Sequence, residues 1–150
     1  MSHYDDHLTV HQAREAYFQS SGFDAHAYSD KWARYRVGRL FTIWIPNTQA
    51  RIRAAKLHDL HHIATNYETS WIGEAEVSAW ELASGGCGRH RIVWLFDTAA
   101  LLLGCLIGPK RVIRAFKRGT ASQNLYQQEF SEAMLSQTVG SLRSSLRITD

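Results

Sequence analysis

Residues 54–81, AAKLHDLHHIATNYETSWIGEAEVSAWE, decide the fold class, because two helical patterns meet there across one short loop. Pro46 stops any helix before it, and Asn47 or Thr48 can cap a helix running to about Asn66, with Ile52, Ala55 and Ile63 among its apolar positions. A YETSWIG loop (67–73) follows, and Glu74 to Ala83 reads as a second helix. The glycine-rich SGGCG of residues 84–88 closes it as a C-terminal signal.

Working outward, Thr9 and Gln12 have the spacing of a capping box, opening a helix to about Ser20 that Ser21-Gly22 ends. Tyr35 to Pro46 is β-branched and aromatic and suits one short strand or an extended arm. A further helix is expected from about His90 to Ile107, broken by Gly108-Pro109, then a basic amphipathic segment to about Arg118. Leu135, Val139, Leu142 and Leu146 recur at helical spacing, so Ser122 to about Arg147 reads as one helix with Gly140 as a weak point. The expected fold is mainly α: a single compact helical domain over residues 1–150, with at most a short extended strand near residues 38–45. At 150 residues the chain can close one core but not two.

Composition removes several functions. The formal charge is +3, but apart from residues 110–118 the basic groups are spread among acidic ones, so nucleic acid is not an expected partner. Cys87 and Cys105 make neither a disulfide framework nor a zinc knuckle, which points to a reducing compartment. The opening MSHYDDHLTV has neither signal-peptide nor transit-peptide character, so the expected location is the cytoplasm.

The chemistry concentrates at His58, Asp59, His61 and His62. Residues four apart on a helix differ by about 40° around the axis, so His58 and His62 project from one face and can share an ion. Asp59 lies about 100° from His58 on the side nearer His62 and can close that face as a third ligand. Glu74, from the next helix, could supply a fourth. Two nitrogens and two oxygens suit zinc, iron, manganese or cobalt better than calcium or magnesium. His61 stays open as an alternative to Asp59, a supporting hydrogen-bond donor or a proton shuttle. A solvated polar face is the plain alternative to the whole site.

H-D-x-x-H shares its histidine spacing with the zinc-protease motif H-E-x-x-H, but Asp59 is one methylene shorter than the glutamate that serves there as general base. That weakens a peptidase reading. The set His58, Asp59, His62 and, after eleven residues, Glu74 resembles the ubiquinone biosynthesis proteins named coenzyme Q biosynthesis protein 4, and residues 46–88 as a whole are similar to compact bacterial members. The resemblance implies a helical, often dimeric protein whose four motif residues hold a divalent metal, zinc foremost, beside an apolar cavity for a prenyl chain. It further implies oxidative replacement of the ring C1 carboxylate of a prenylated quinone precursor by a hydroxyl. It also leaves room for a scaffold role among other quinone biosynthesis proteins. This chain is shorter than the eukaryotic members.

Two other segments suit a greasy substrate. Ile92 to Gly108 is apolar nearly all round apart from Asp97, the pattern of a central buried helix, and its 17 residues fall short of a membrane span. Asp97 needs a partner. Arg111, Arg114 and Arg118 share one face and Val112, Ile113 and Phe116 another, as in a helix lying on anionic lipid, though a solvated helix fits as well. Trp32, Trp44, Trp71, Trp80 and Trp94 are each expected to fill the core before lining a tunnel. Three functions stay open: a metal-dependent decarboxylase/hydroxylase on a prenylated ring, peripheral to the inner face of the membrane; a noncatalytic lipid-binding scaffold with a structural metal; and a metal-dependent hydrolase.

Overall fold

The end signals of the central helix pair act as their chemistry dictates. Thr48 caps α2 (Gln49–Thr65), its hydroxyl accepting from the Arg51 N–H at 3.3 Å, and Asn66 ends it in the left-handed region at φ 60°. Ser70 caps α3 (Trp71–Ala83), accepting from the Gly73 N–H at 3.3 Å, so this helix begins one turn earlier than Glu74. The serine cap inside YETSWIG is the signal that the loop reading overlooked. The computed structural model describes residues 4–21, 28–37 and 41–148, and among these the chain is mainly helical.

Before the pair come α1 (Val10–Ser21) and a hairpin of β1 (Trp32–Val37) and β2 (Phe41–Pro46). The expected capping box is present, with the Thr9 N–H donating to Gln12 and the Gln12 N–H to Thr9. One short strand was expected; two antiparallel ones form, Trp32 opposite Pro46 and Val37 opposite Phe41, and residues 38–40 between them lie outside the described residues. After the pair come α4 (Arg91–Ile107), α5 (Pro109–Thr120), α6 (Glu132–Ser136) and α7 (Val139–Ser145).

The single C-terminal helix expected from Ser122 to Arg147 does not form, because its backbone and polar groups are committed elsewhere. Asn124 Nδ2 donates to the carbonyls of Glu81 and Gly86, the Leu125 N–H donates to His61 Nε2, and the Gln123 N–H to the Leu146 carbonyl. Thr138 then caps α7 afresh, accepting from the Ser141 N–H.

The main core joins Val10, Ala13 and Tyr17 of α1, Leu57, Leu60 and Ile63 of α2, Trp80 of α3, Leu125, and Leu135, Val139, Leu142 and Leu146 of the C-terminal segment. Each buried Leu, Ile or Val contributes roughly 1.5–3 kcal/mol, so this layer fixes the orientation of α2. Buried Arg143 reinforces it, donating to the Ala64 carbonyl at the end of α2 and to the Tyr4 carbonyl, both at 3.0 Å. A smaller core of Ala75, Ala79, Val112 and Ala115 lies between α3 and α5.

α4 is not the buried central helix expected. Only Asp97 and Gly104 of it are buried, while Leu95, Leu102 and Leu106 are 68%, 62% and 82% exposed. A Cβ at Gly104 would overlap Ala75 and Val112, so α4 approaches α3 and α5 through its smallest residue and turns its leucines outward. The tryptophans likewise divide: Trp80 fills the core, whereas Trp32, Trp44, Trp71 and Trp94 are exposed. No helix among the described residues is long and apolar enough to cross a membrane.

Candidate metal centre

α2 presents His58 and His62 one turn apart, and the reversal at Asn66 brings the first turn of α3 across them. Gly73 permits this close turn, because a Cβ there would collide with the Glu68 backbone. His58 Nε2 and His62 Nε2 are 3.2 Å apart, and the Glu74 carboxylate faces both, Oε2 to His58 and Oε1 to His62 at 3.4 Å each. Two nitrogens and one carboxylate, all within 4.8 Å of one another, form a group that could hold a metal ion. Donor atoms around one zinc at 2.0–2.2 Å and tetrahedral angles are about 3.3–3.5 Å apart, close to these three edges.

The hydrogen bonds behind the rings support that orientation. His62 Nδ1 faces the Tyr67 carbonyl at 2.9 Å and His58 Nδ1 faces Glu81 Oε1 at 2.8 Å; both partners accept, so each Nδ1 carries its proton. The two Nε2 lone pairs are left pointing at each other, an arrangement that a cation or a shared proton between them relieves. Burial by itself lowers the basicity of His58, but Glu81 and Glu74 outweigh it and raise the ring's pKa well above 6.5. Burial opposes ionisation of Glu74 too, yet the His58 and His62 rings hold it well below the usual carboxylate range. A proton thus competes with a metal for this site, and metal uptake releases it.

Asp59 stands apart from this trio. Its buried carboxylate accepts from the hydroxyls of Tyr28 and, at 3.4 Å, Tyr17, whose ring stacks on His62 with centroids 5.6 Å apart. His61 points to the other side, its Nδ1 2.6 Å from Glu81 Oε1 and its Nε2 accepting the Leu125 N–H at 2.9 Å; burial keeps the ring neutral. Of the four expected ligands, then, His58, His62 and Glu74 converge, while Asp59 is tied to two tyrosines. Tyr17, Tyr28, Tyr126 and Glu81 were not singled out from the sequence. Glu81 could have been, since it lies seven residues after Glu74 on the same helix face.

Glu81 also supplies the partner that Asp97 needed. The Glu81 carboxylate is fully buried, its Oε1 taking His58, His61 and the Tyr126 hydroxyl, and Asp97 lies beside it, bonded by Cys87 and Ser78. Burial and the Glu81 charge push the Asp97 pKa up to about 9, and the retained proton gives Glu81 Oε2 a donor that it otherwise lacks. The unfolded chain releases that proton near the ordinary value of 3.8, the folded one near 9. Between those values the folded state carries the extra proton, so this group's contribution falls as pH rises, by at most about 1.4 kcal/mol per pH unit. Asp97→Asn mimics the protonated acid; its stability relative to wild type should climb from pH 5 to pH 9 in urea unfolding. A pH-independent difference would refute the assignment.

Of the three arginines expected at lipid, Arg111 is held bidentately by Glu76 at 2.9 and 2.5 Å, and Arg118 donates to the Thr65 carbonyl at 2.8 Å. Arg114 is exposed on the outer side of α5, with Lys110 and Lys117. Ile113 and Phe116 of α5 are exposed as well. Two clefts among the described residues, of about 470 and 220 Å³, are lined in part by Arg53, Lys56 and Glu129, and by Ser20, Asn66 and Thr69.

Comparison with protein-family models, curated proteins and solved structures gives no match to this chain.

Proposed function

We propose that this protein is a metal-dependent enzyme of ubiquinone biosynthesis, acting on a prenylated aromatic acid at a membrane surface. The observation that carries the metal reading is the convergence of His58 Nε2, His62 Nε2 and the Glu74 carboxylate, with both Nδ1 protons already committed. The substrate rests on the resemblance of His58, Asp59, His62 and Glu74 to the coenzyme Q biosynthesis protein 4 motif. Zinc suits two imidazoles and a carboxylate, with cobalt, iron or manganese as alternatives. When bound, such an ion would supply Lewis acidity for the charge that develops as the ring C1 carboxylate leaves as carbon dioxide. The hydroxyl that replaces it comes from water or dioxygen, and the two electrons released go to dioxygen or another external two-electron acceptor, because zinc takes none.

The chain's own groups do the rest. Glu74 is 37% and His58 24% exposed, which leaves an approach from solvent to the trio. Tyr17 and Tyr28 hold the buried Asp59 side chain, and Tyr17 in turn stacks on His62 and keeps that ring in place. The outer face of α4 and α5 offers apolar surface for a membrane or an isoprenoid tail, with a second copy and other quinone biosynthesis proteins as further partners.

A scaffold with a structural metal is the second reading. Structural zinc sites are usually closed by four protein ligands; three convergent groups with a part-exposed carboxylate favour an open catalytic position. The hydrolase reading loses support because Asp59 is engaged by tyrosines. In a ubiquinone-deficient cell lacking its own member of the family, the wild type should restore quinone. Glu74→Gln and Asp59→Asn should accumulate a prenylated precursor that keeps its ring carboxylate. Rescue by folded, metal-free variants would leave only the scaffold.

A further inference from the structure

We propose that Glu81 is the positioning residue of the metal centre, holding His58 in the one tautomer that presents Nε2 to Glu74 and His62. This rests on the metal reading above and extends it to a residue outside the H-D-x-x-H and Glu74 set.

The direction of each hydrogen bond follows from one backbone group. The Leu125 N–H can only donate, so His61 Nε2 accepts and the proton of that neutral ring sits on Nδ1. His61 Nδ1–H therefore donates to Glu81 Oε1 at 2.6 Å. The same oxygen, being an acceptor, takes the Tyr126 hydroxyl at 2.9 Å and the His58 Nδ1–H at 2.8 Å. His58 Nε2 is thereby left free of its proton whenever a metal takes its place. Glu81 itself has little freedom to move. Its side chain is fully buried, its own carbonyl accepts from Asn124 Nδ2 at 3.0 Å, and His61 is wedged between Trp80 and Tyr126. A carboxylate behind a ligating imidazole fixes the ring and raises its basicity, and loss of such a partner typically costs 10–100-fold in metal affinity.

The test compares Glu81→Gln with Tyr126→Phe, which removes a different donor from the same oxygen. Zinc affinity is measured by chelator competition, and the ligand field by the absorption of the cobalt-loaded protein. Glu81→Gln should lose about 10–100-fold in zinc affinity and shift the cobalt bands, whereas Tyr126→Phe should stay within about threefold with wild-type bands. In zinc-loaded wild type, ¹⁵N resonances of His58 should show a protonated Nδ1 and a metal-bound Nε2.

Wild type that takes up no zinc or cobalt defeats the metal reading and this proposal with it. Wild type that binds zinc while Glu81→Gln binds it equally well defeats the proposal alone. So does a Tyr126→Phe loss as large as that of Glu81→Gln, which would mark a general loosening of the core. If Glu81→Gln does not fold, the nitrogen resonances decide: a metal-bound Nδ1 on His58 overturns the assignment, and a metal-bound Nε2 with a protonated Nδ1 supports it.

Discussion

Replacing His62 by alanine is expected to abolish stoichiometric divalent metal, and with it any rise of melting temperature on adding zinc. His62 supplies one of only two nitrogens in the convergent group, and neither Asp59 nor His61 can take its place, the first being bonded to Tyr17 and Tyr28 and the second lying between Glu81 and Leu125. A ligand that binds only the folded state at a hundred times its dissociation constant adds about 2.7 kcal/mol. At roughly 2–4 °C per kcal/mol for a chain of this size, wild type should gain about 5–10 °C with zinc and the variant none. The buried ring also packs on Tyr17, so the variant starts from a lower melting temperature, and the metal-dependent increment is the informative quantity. Elemental analysis showing one metal per folded His62→Ala chain would contradict the site.

The spacing of His58 and His62 was legible because a helix converts sequence separation directly into direction, and the caps at Thr48 and Asn66 bounded that helix. Glu74 was legible as a ligand type on the next helix. Helix angle and the motif resemblance both put Asp59 with the same ion, and neither announces that Tyr17 and Tyr28 arrive from other segments to hold its side chain. Glu81 shares the face of α3 that carries Glu74, so its spacing gives its side. Its three partners, His58 and His61 of α2 and Tyr126, come from elsewhere in the chain, so spacing does not give its role. The C-terminal segment kept its helical periodicity at Leu135, Val139 and Leu142, yet the tertiary bonds at Gln123, Asn124 and Leu125 overrode helix before residue 132.

The outward-facing leucines of α4 have the largest consequence. Apolar composition shows that a helix needs cover, and it does not say whether the cover is protein or lipid. Leu95, Leu102 and Leu106 of α4 are exposed, as are Ile113, Phe116, Lys110, Arg114 and Lys117 of α5, so the two helices between them carry the apolar and cationic groups that an anionic bilayer matches. Reversing Lys110, Arg114 and Lys117 to glutamate should then weaken binding to phosphatidylglycerol-containing vesicles by more than about 100-fold, since each basic group near such a surface contributes about 1 kcal/mol and its reversal adds repulsion. Arg111→Gln should do far less to vesicle binding, because that guanidinium is already committed to Glu76 and cannot also turn to phosphate without giving up two hydrogen bonds. Raising the salt should weaken the wild type toward the reversed variant, which has little attraction left to screen. Sedimentation with neutral and anionic vesicles separates the two contributions. Equal binding of wild type to both would leave the leucines without their cationic guide and remove the membrane from the proposed function, while retention of anionic binding by the triple variant would place the contact on another face of the molecule.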